Sequence, residues 1–376
     1  MATTPVDPAV ARVMQACLTD DIAFGNASSP HIFGKSACNA IEKARSQVAN
    51  LLNTEPKEII FTSGATESVN LALKGAAEFY ERQGKHIITM STEHKAVLNT
   101  CHYLESLGFE VTYLDPEPNG LLNRENLIAA IRPDTILASI MHVNNETGVI
   151  QNIADIGKIL REKGVLFHVD AAQSAGKVAI DLNTLPVDLM SLAAHKIYGP
   201  KGAGALVVRS KPRVQLISQM QGAGQEGRVR SGTLATHQIV GMGEAFEIAQ
   251  QTMPEETKRI KKLYDRLFNA LQSIGGVHLN GDEKTRVCCC LNVQIDGVFA
   301  DKLLSAMPEV AVSIGSACNS VDPVPSHVLT AMGMQRDAAN QSIRISLGRF
   351  TTETDIDKAA IVFREKIQQL RSTHLF

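Results

Sequence analysis

The sequence predicts an α/β protein: a mostly parallel sheet covered by helices on both faces, followed by a smaller α/β section. Three observations carry this expectation. Short β-rich runs alternate with helical patterns from about residue 57 to 209, a long helical pattern spans about 237–273, and a second, shorter alternation of strand and helix follows it. Continuous apolar strands separated by helices are what a parallel sheet buried on both faces requires. Ligands of such sheets sit at the strands' carboxyl ends.

In chain order, 34–52 has helical periodicity, and strands are expected over 58–62, 85–89, 110–114, 135–140 and 165–169, with helices such as 154–161 between them. The apolar run 187–194 is also strand-like. After the long helix, strands are expected over 287–295, 310–313 and 342–347, and helices near 301–307, 326–332 and 353–370. This divides the chain into a large domain, residues 10–250, and a small domain, residues 251–376 together with 1–9. With no repeat and no Pro-rich linker, the two are expected to pack closely.

A chain of 376 residues with a formal net charge of −2 can bury a large core but has no excess of cations for a nucleic-acid surface. It has no apolar stretch of the ~20 residues needed to span a membrane, and Met1-Ala2-Thr3-Thr4-Pro5 lacks signal-peptide character. A soluble, cytoplasmic protein that binds neither membrane nor nucleic acid directly is expected. The seven cysteines form no CxxC pair, so they read as reduced thiols, and Cys288, Cys289 and Cys290 as strand packing with no metal site.

The chemistry centres on Lys196, which ends the apolar run and precedes the glycine-rich Ile197-Tyr198-Gly199-Pro200-Lys201-Gly202. A buried amine loses hydration, which favours its neutral form and lets it condense with an aldehyde. Asp170 follows Val165-Leu166-Phe167-His168-Val169, and a carboxylate there suits a pyridinium nitrogen. Together the two residues suggest pyridoxal phosphate, whose charged ring is an electron sink.

Other residues extend this site. Ser63-Gly64-Ala65-Thr66 leads from a strand into a helix, where free amides and the Thr66 hydroxyl form an anion site suited to a phosphate. An ordinary helix cap is the alternative. His94 follows a strand and suits stacking on a ring and proton exchange, or else capping. Asn145, and Gln173 one helical turn past Asp170, are placed to bond a ring hydroxyl. Cys318, in the small-residue loop Gly315-Ser316-Ala317-Cys318-Asn319-Ser320, suits a nucleophile that carries sulfur, whereas Cys38 lies in a helical pattern and reads as a packed thiol. Arg344, inside a strand, suits a substrate carboxylate or an internal salt bridge.

These motifs, with Thr92-Glu93-His94-Lys95, Asn144-Asn145-Glu146-Thr147-Gly148, Ala194-His195-Lys196 and Arg230-Ser231-Gly232-Thr233, resemble the NifS/IscS-type cysteine desulfurases over nearly the whole chain. These are fold-type I pyridoxal-phosphate enzymes of the class V aminotransferase group. The resemblance implies a large domain with a seven-stranded sheet, and a homodimer. It implies that Lys196 carries the cofactor, Asp170 faces its ring nitrogen, His94 stacks on the ring and Gln173 contacts the hydroxyl. Ala65, Thr66 and His195 would bind the phosphate, with Thr233 reaching in from a second subunit. Asn145 and Arg344 would hold the substrate carboxylate, and Cys318 would take the sulfur.

The implied reaction starts with L-cysteine displacing Lys196, whose amine removes the Cα proton. The Cys318 thiolate then attacks the substrate sulfur and becomes a persulfide as alanine leaves. The persulfide would serve a protein acceptor in iron–sulfur assembly, tRNA thiolation or DNA phosphorothioation. A selenocysteine lyase, an aminotransferase of the same fold and a non-catalytic sulfur-relay protein are the competing expectations.

The sequence departs from the family in places. Ala193 stands where close relatives have a phosphate-binding serine, which removes a donor worth about 1 kcal/mol, so weaker cofactor binding is expected. Ile314 and Asn319 replace the serine and threonine usual around the active cysteine. The family's first short strand and the C-terminal tail by which IscS-type members grip a scaffold are expected to be missing.

Overall fold

A computed structural model describes residues 2–19, 23–314 and 325–373. Its main sheet holds β1 (Ile59–Thr62), β2 (His86–Met90), β3 (Glu110–Leu114), β4 (Thr135–Ser139), β5 (Leu166–Asp170), β6 (Leu189–Ala193) and β7 (Gly204–Val208). The order is β1-β7-β6-β5-β4-β2-β3, with every pairing parallel except those of β7. Strands β1, β2, β4 and β6 are buried along their whole length, which explains their unbroken apolar character. Polar residues inside the sheet are paired: the His168 ring bridges Ser139 Oγ and Ser191 Oγ at 2.8 Å each, across three adjacent strands.

The helices are α1 (Pro8–Thr19), α2 (Ile32–Leu52), α3 (Ala65–Tyr80), α4 (Lys95–Ser106), α5 (Arg124–Ala130), α6 (Ile153–Glu162), α7 (Thr236–Gln272), α8 (Ala300–Ala306), α9 (His327–Ala331), α10 (Arg336–Asn340) and α11 (Glu353–Thr373). Side chains start several of them: Asn123 for α5, Asn152 for α6 and Ser326 for α9, as the capping preference predicts, and the His94 ring for α4. Among the described residues, no helix is long and apolar enough to cross a membrane.

A second, antiparallel sheet contains β8 (Val277–Leu279), β9 (Cys290–Ile295) and β10 (Ser342–Ser346) in the order β10-β9-β8. Helix α7 serves both sections. Ala245, Phe246 and Ala249 pack with the main sheet's core, whereas Ile260, Leu263 and Leu267 belong to a core around β9, β10 and α11. The helix continues through Pro254.

Several expectations need correction. Residues 310–313 do not form a strand; only Ser313 pairs, through one isolated bridge to Arg344. The apolar spacing was right for a strand, but a ladder needs a neighbour in register along its whole length. The strand expected from 287 begins at Cys290, with Cys290 fully buried, Cys289 buried and Cys288 half-buried. The three-residue β8 was not foreseen. Residues 172–177 are a series of turns, not a helix, so Gln173 is not one helical turn from Asp170.

Candidate active site

One cavity of about 430 Å³ lies at the carboxyl ends of the main strands. The turn after β1 brings Gly64, Ala65 and Thr66, the end of β2 brings His94, the segment after β4 brings Asn145, and β5 brings Asp170 and then Gln173. Ala193 ends β6, and His195 and Lys196 belong to the 3-10 turn that follows. The common direction of β1, β2, β4, β5 and β6, with β1 joined through antiparallel β7, puts these chain-distant residues at one rim.

The end at α3 is built for an anion. Gly64 is the N-cap at φ 153°, offers no side chain, and leaves the first-turn amides to a ligand. Glu67 braces the turn: its carboxylate accepts from Ser63 N at 2.7 Å and pairs with Arg230 at 2.8 Å. Burial pushes the Glu67 carboxyl up, but these bonds outweigh it and hold it below its ordinary range. Gly204, where antiparallel β7 starts, lies directly under this turn; a Cβ there would stand 2.5 Å from Gly64 Cα. His195 faces the same end, with Nδ1 3.0 Å from Thr3 Oγ1. Burial, then the nearby Lys196, Lys201 and Lys177, lower its pKa to about 4, so its imidazole is neutral.

Lys196 meets the sequence expectation of a depressed amine. Burial, then the charges of Lys177 and Arg344, bring its pKa down to about 8, against the opposing pull of Asp170. Its Nζ donates to Ala2 O at 2.7 Å. Asp170 is 7% exposed, and one carboxylate oxygen accepts from Ala172 N at 2.9 Å. Burial raises its pKa, moderated by that bond and by His94 and Lys196. His94 does cap a helix, yet its ring also lines the cavity. Because Nδ1 accepts from Ala96 N at 3.1 Å, the neutral ring carries its proton on Nε2. Burial disfavours the imidazolium, ahead of the opposing effects of Asp170 and Lys196.

Arg344 has no salt bridge among the described residues. Its Nη1 donates to Asn145 O at 2.8 Å, while Nε is shielded from solvent and unpartnered. Asn145 Oδ1 is a second shielded, unpartnered atom. Buried polar atoms left unpaired are costly. Asn145 lines the cavity, whereas Arg344 stands behind it and is not among the lining residues. Thr233 is exposed and does not line this cavity. Cys318 lies outside the described residues. Thr3, Lys177 and Lys201 carry no local signal that points to this site. Thr3 and Thr4 reach the site because Thr4 N and Oγ1 both donate to His195 O at 3.0 Å, a contact with no local signature.

An uncapped helix N-terminus, a depressed amine, a buried carboxylate and a neutral imidazole on one cavity fit pyridoxal phosphate. Each answers one part of it: phosphate, aldehyde, ring nitrogen and ring face. Among the described residues, no cluster of three His, Cys, Asp or Glu side chains is arranged to hold a metal.

The profile of the family described as Aminotransferase class-V matches residues 1–359. The chain is similar to the cysteine desulfurase IscS of Tolumonas auensis, with 58% identity over 98% of this chain and 92% of that protein. It is also similar to a solved NifS-like protein, with a TM-score of 0.90 and 38% identity over 99% of this chain and 98% of the other. A structure of SspA in complex with cysteine matches with a TM-score of 0.83 and 40% identity over 93% of this chain and 98% of that one.

Proposed function

The chain belongs to the class-V aminotransferase family, and from that premise we propose that it is a pyridoxal-phosphate-dependent cysteine desulfurase. The observation that carries this reading is the convergence of Lys196, Asp170 and His94 on one cavity in a chain so similar, nearly end to end, to a desulfurase. Ala65, Thr66 and His195 would hold the phosphate, Asp170 the ring nitrogen, His94 the ring face and Gln173 the ring hydroxyl. Bound at Lys196, the cofactor supplies an electron sink for the charge left at an amino acid's Cα.

The chain's own groups do the rest. The Lys196 amine, with its pKa near 8, takes up the Cα proton at Nζ. Asp170 keeps the proton on the ring nitrogen. The Arg344 guanidinium, held on Asn145 O, would grip the substrate carboxylate, with Asn145 beside it. The Cys318 thiolate attacks the substrate sulfur; an S–S bond forms as the C–S bond breaks, and its electron pair leaves with the carbon fragment, which takes up protons to become alanine.

The same reading assigns the cofactor to residues 10–250 and the cysteine segment to the remainder. It makes the protein a homodimer, with Thr233 contributing to a second copy's phosphate site, and gives the persulfide to a protein acceptor. The test is incubation of the pyridoxal-phosphate-loaded chain with L-cysteine and a reductant. Equimolar alanine and sulfide are expected, and Cys318→Ser should lose both while keeping the cofactor's absorbance. Undiminished cysteine turnover by that variant would leave an aminotransferase or lyase chemistry instead.

A further inference from the structure

We propose that Lys177 is a positioning residue for the cofactor: its ammonium pins the Gln173 carbonyl, so that the Gln173 NH2 group faces the cavity as a donor to the ring hydroxyl oxygen. The inference rests on reading the cavity as a pyridoxal phosphate site.

Lys177 Nζ lies 3.3 Å from Gln173 Oε1. An ammonium has three donors and no acceptor, so the amide atom it meets must be the oxygen, and this fixes which way the amide points. Gln173 is 5% exposed and lines the cavity, whereas Lys177 stands half-buried behind it. The turns that replace the expected helix bring the two together: Ala175 N donates to Ala171 O at 3.0 Å and Lys177 N to Ser174 O at 2.9 Å. Between them Gly176 adopts φ 71°, and a Cβ there would meet Ala249 Cβ at 3.0 Å. The turn is therefore held against α7.

The consequence is chemical. A ring hydroxyl that shares its proton with a nearby nitrogen is an acceptor, and a flipped amide would oppose it with a second acceptor. The Lys177 ammonium favours the orientation that turns the amide oxygen toward it. The same ammonium adds to the depression of the Lys196 amine.

The experiment titrates the cofactor-stripped, full-length chain with pyridoxal phosphate and with its 3-deoxy analogue, which lacks the ring hydroxyl. Binding of pyridoxal phosphate by the unaltered chain tests the cofactor reading by itself. Lys177→Met should weaken pyridoxal phosphate binding by roughly 5–10-fold more than it weakens 3-deoxy binding, the effect of one lost hydrogen bond; any loss shared by both ligands reflects the changed charge beside Lys196. Lys177→Arg, which restores a cationic donor, should recover most of the loss. Equal losses for both ligands, or none for either, overturn the proposal. If Lys177→Met does not fold by circular dichroism, Lys177→Gln is subjected to the same comparison and the same criteria.

Discussion

Ser313 and Arg344 exchange both of their backbone hydrogen bonds, Ser313 N donating to Arg344 O at 3.0 Å and Arg344 N to Ser313 O at 2.7 Å. This one bridge ties the chain just ahead of the Cys318 segment to the residue whose guanidinium faces Asn145. Nη1 is spent on Asn145 O, and the proposed reading gives the rest of the guanidinium to the substrate carboxylate. Arg344→Lys keeps the charge but loses the fork. The KM for L-cysteine should rise by about 10–100-fold, matching one charge-assisted bond, with the cofactor spectrum unchanged. Steady-state alanine formation measures it, and an unaltered KM would remove Arg344 from the substrate site.

The Lys196 amine should be visible in the stability of the cofactor-free chain. With a folded pKa of about 8 against an ordinary value near 10.4, the unfolded chain binds more protons between those limits, so stability should rise with pH across that window. Lys196→Met should be more stable than the cofactor-free parent at pH 7, and the gap should close as the pH passes 10.4. Urea unfolding at several pH values measures both.

Glu146 carries the opposite sign. It is 2% exposed, and burial pushes its carboxyl up to about 7 despite the Ser326 hydroxyl bond and the charges of Arg344 and Lys95. Between about pH 4.5 and 7 the folded chain holds a proton that the unfolded chain releases, so stability falls as pH rises through that range. Glu146→Gln keeps an acceptor for Ser326 but does not titrate. From pH 5 to 8 the parent should lose up to about 3 kcal/mol more than the variant. Parallel losses in both chains would mean that the carboxyl is ionised when buried.

Gly204→Ala should damage stability and the anion site together. Its Cβ would meet Gly64 Cα at 2.5 Å and Leu192 O at 2.6 Å, both backbone atoms that cannot swing aside. A cost of about 1–3 kcal/mol is expected from the overpacking, with weaker pyridoxal phosphate binding because Gly64 must move. Thermal unfolding and cofactor titration separate the two effects; a variant unchanged in both would show that the turn after β1 is not fixed by β7.

Lys196, Asp170, Thr66 and His94 were legible because each sits where an apolar run stops, and the end of a buried strand is a local property of sequence. Their roles toward a cofactor could be inferred from residue chemistry before any contact was known. Lys177 was not legible, since the turn that brings it to Gln173 replaces a helix that the spacing suggested. Residues 310–313 misled for a related reason: their pattern suits a strand, but pairing depends on which edge lies beside them, and only Ser313 meets Arg344.

The sequence by itself determined the layered α/β architecture, the positions of the strand ends and the residue types that suit pyridoxal phosphate, because periodicity and burial preference act over a few neighbouring residues. The tertiary structure decided what those residues are bonded to. The Arg344 guanidinium meets a backbone carbonyl and, among the described residues, no carboxylate, Thr3 and Thr4 reach His195 across most of the sheet-forming chain, and Lys177 orients toward Gln173. Hydrogen-bond partners far apart in sequence are selected by packing, and no local pattern encodes them.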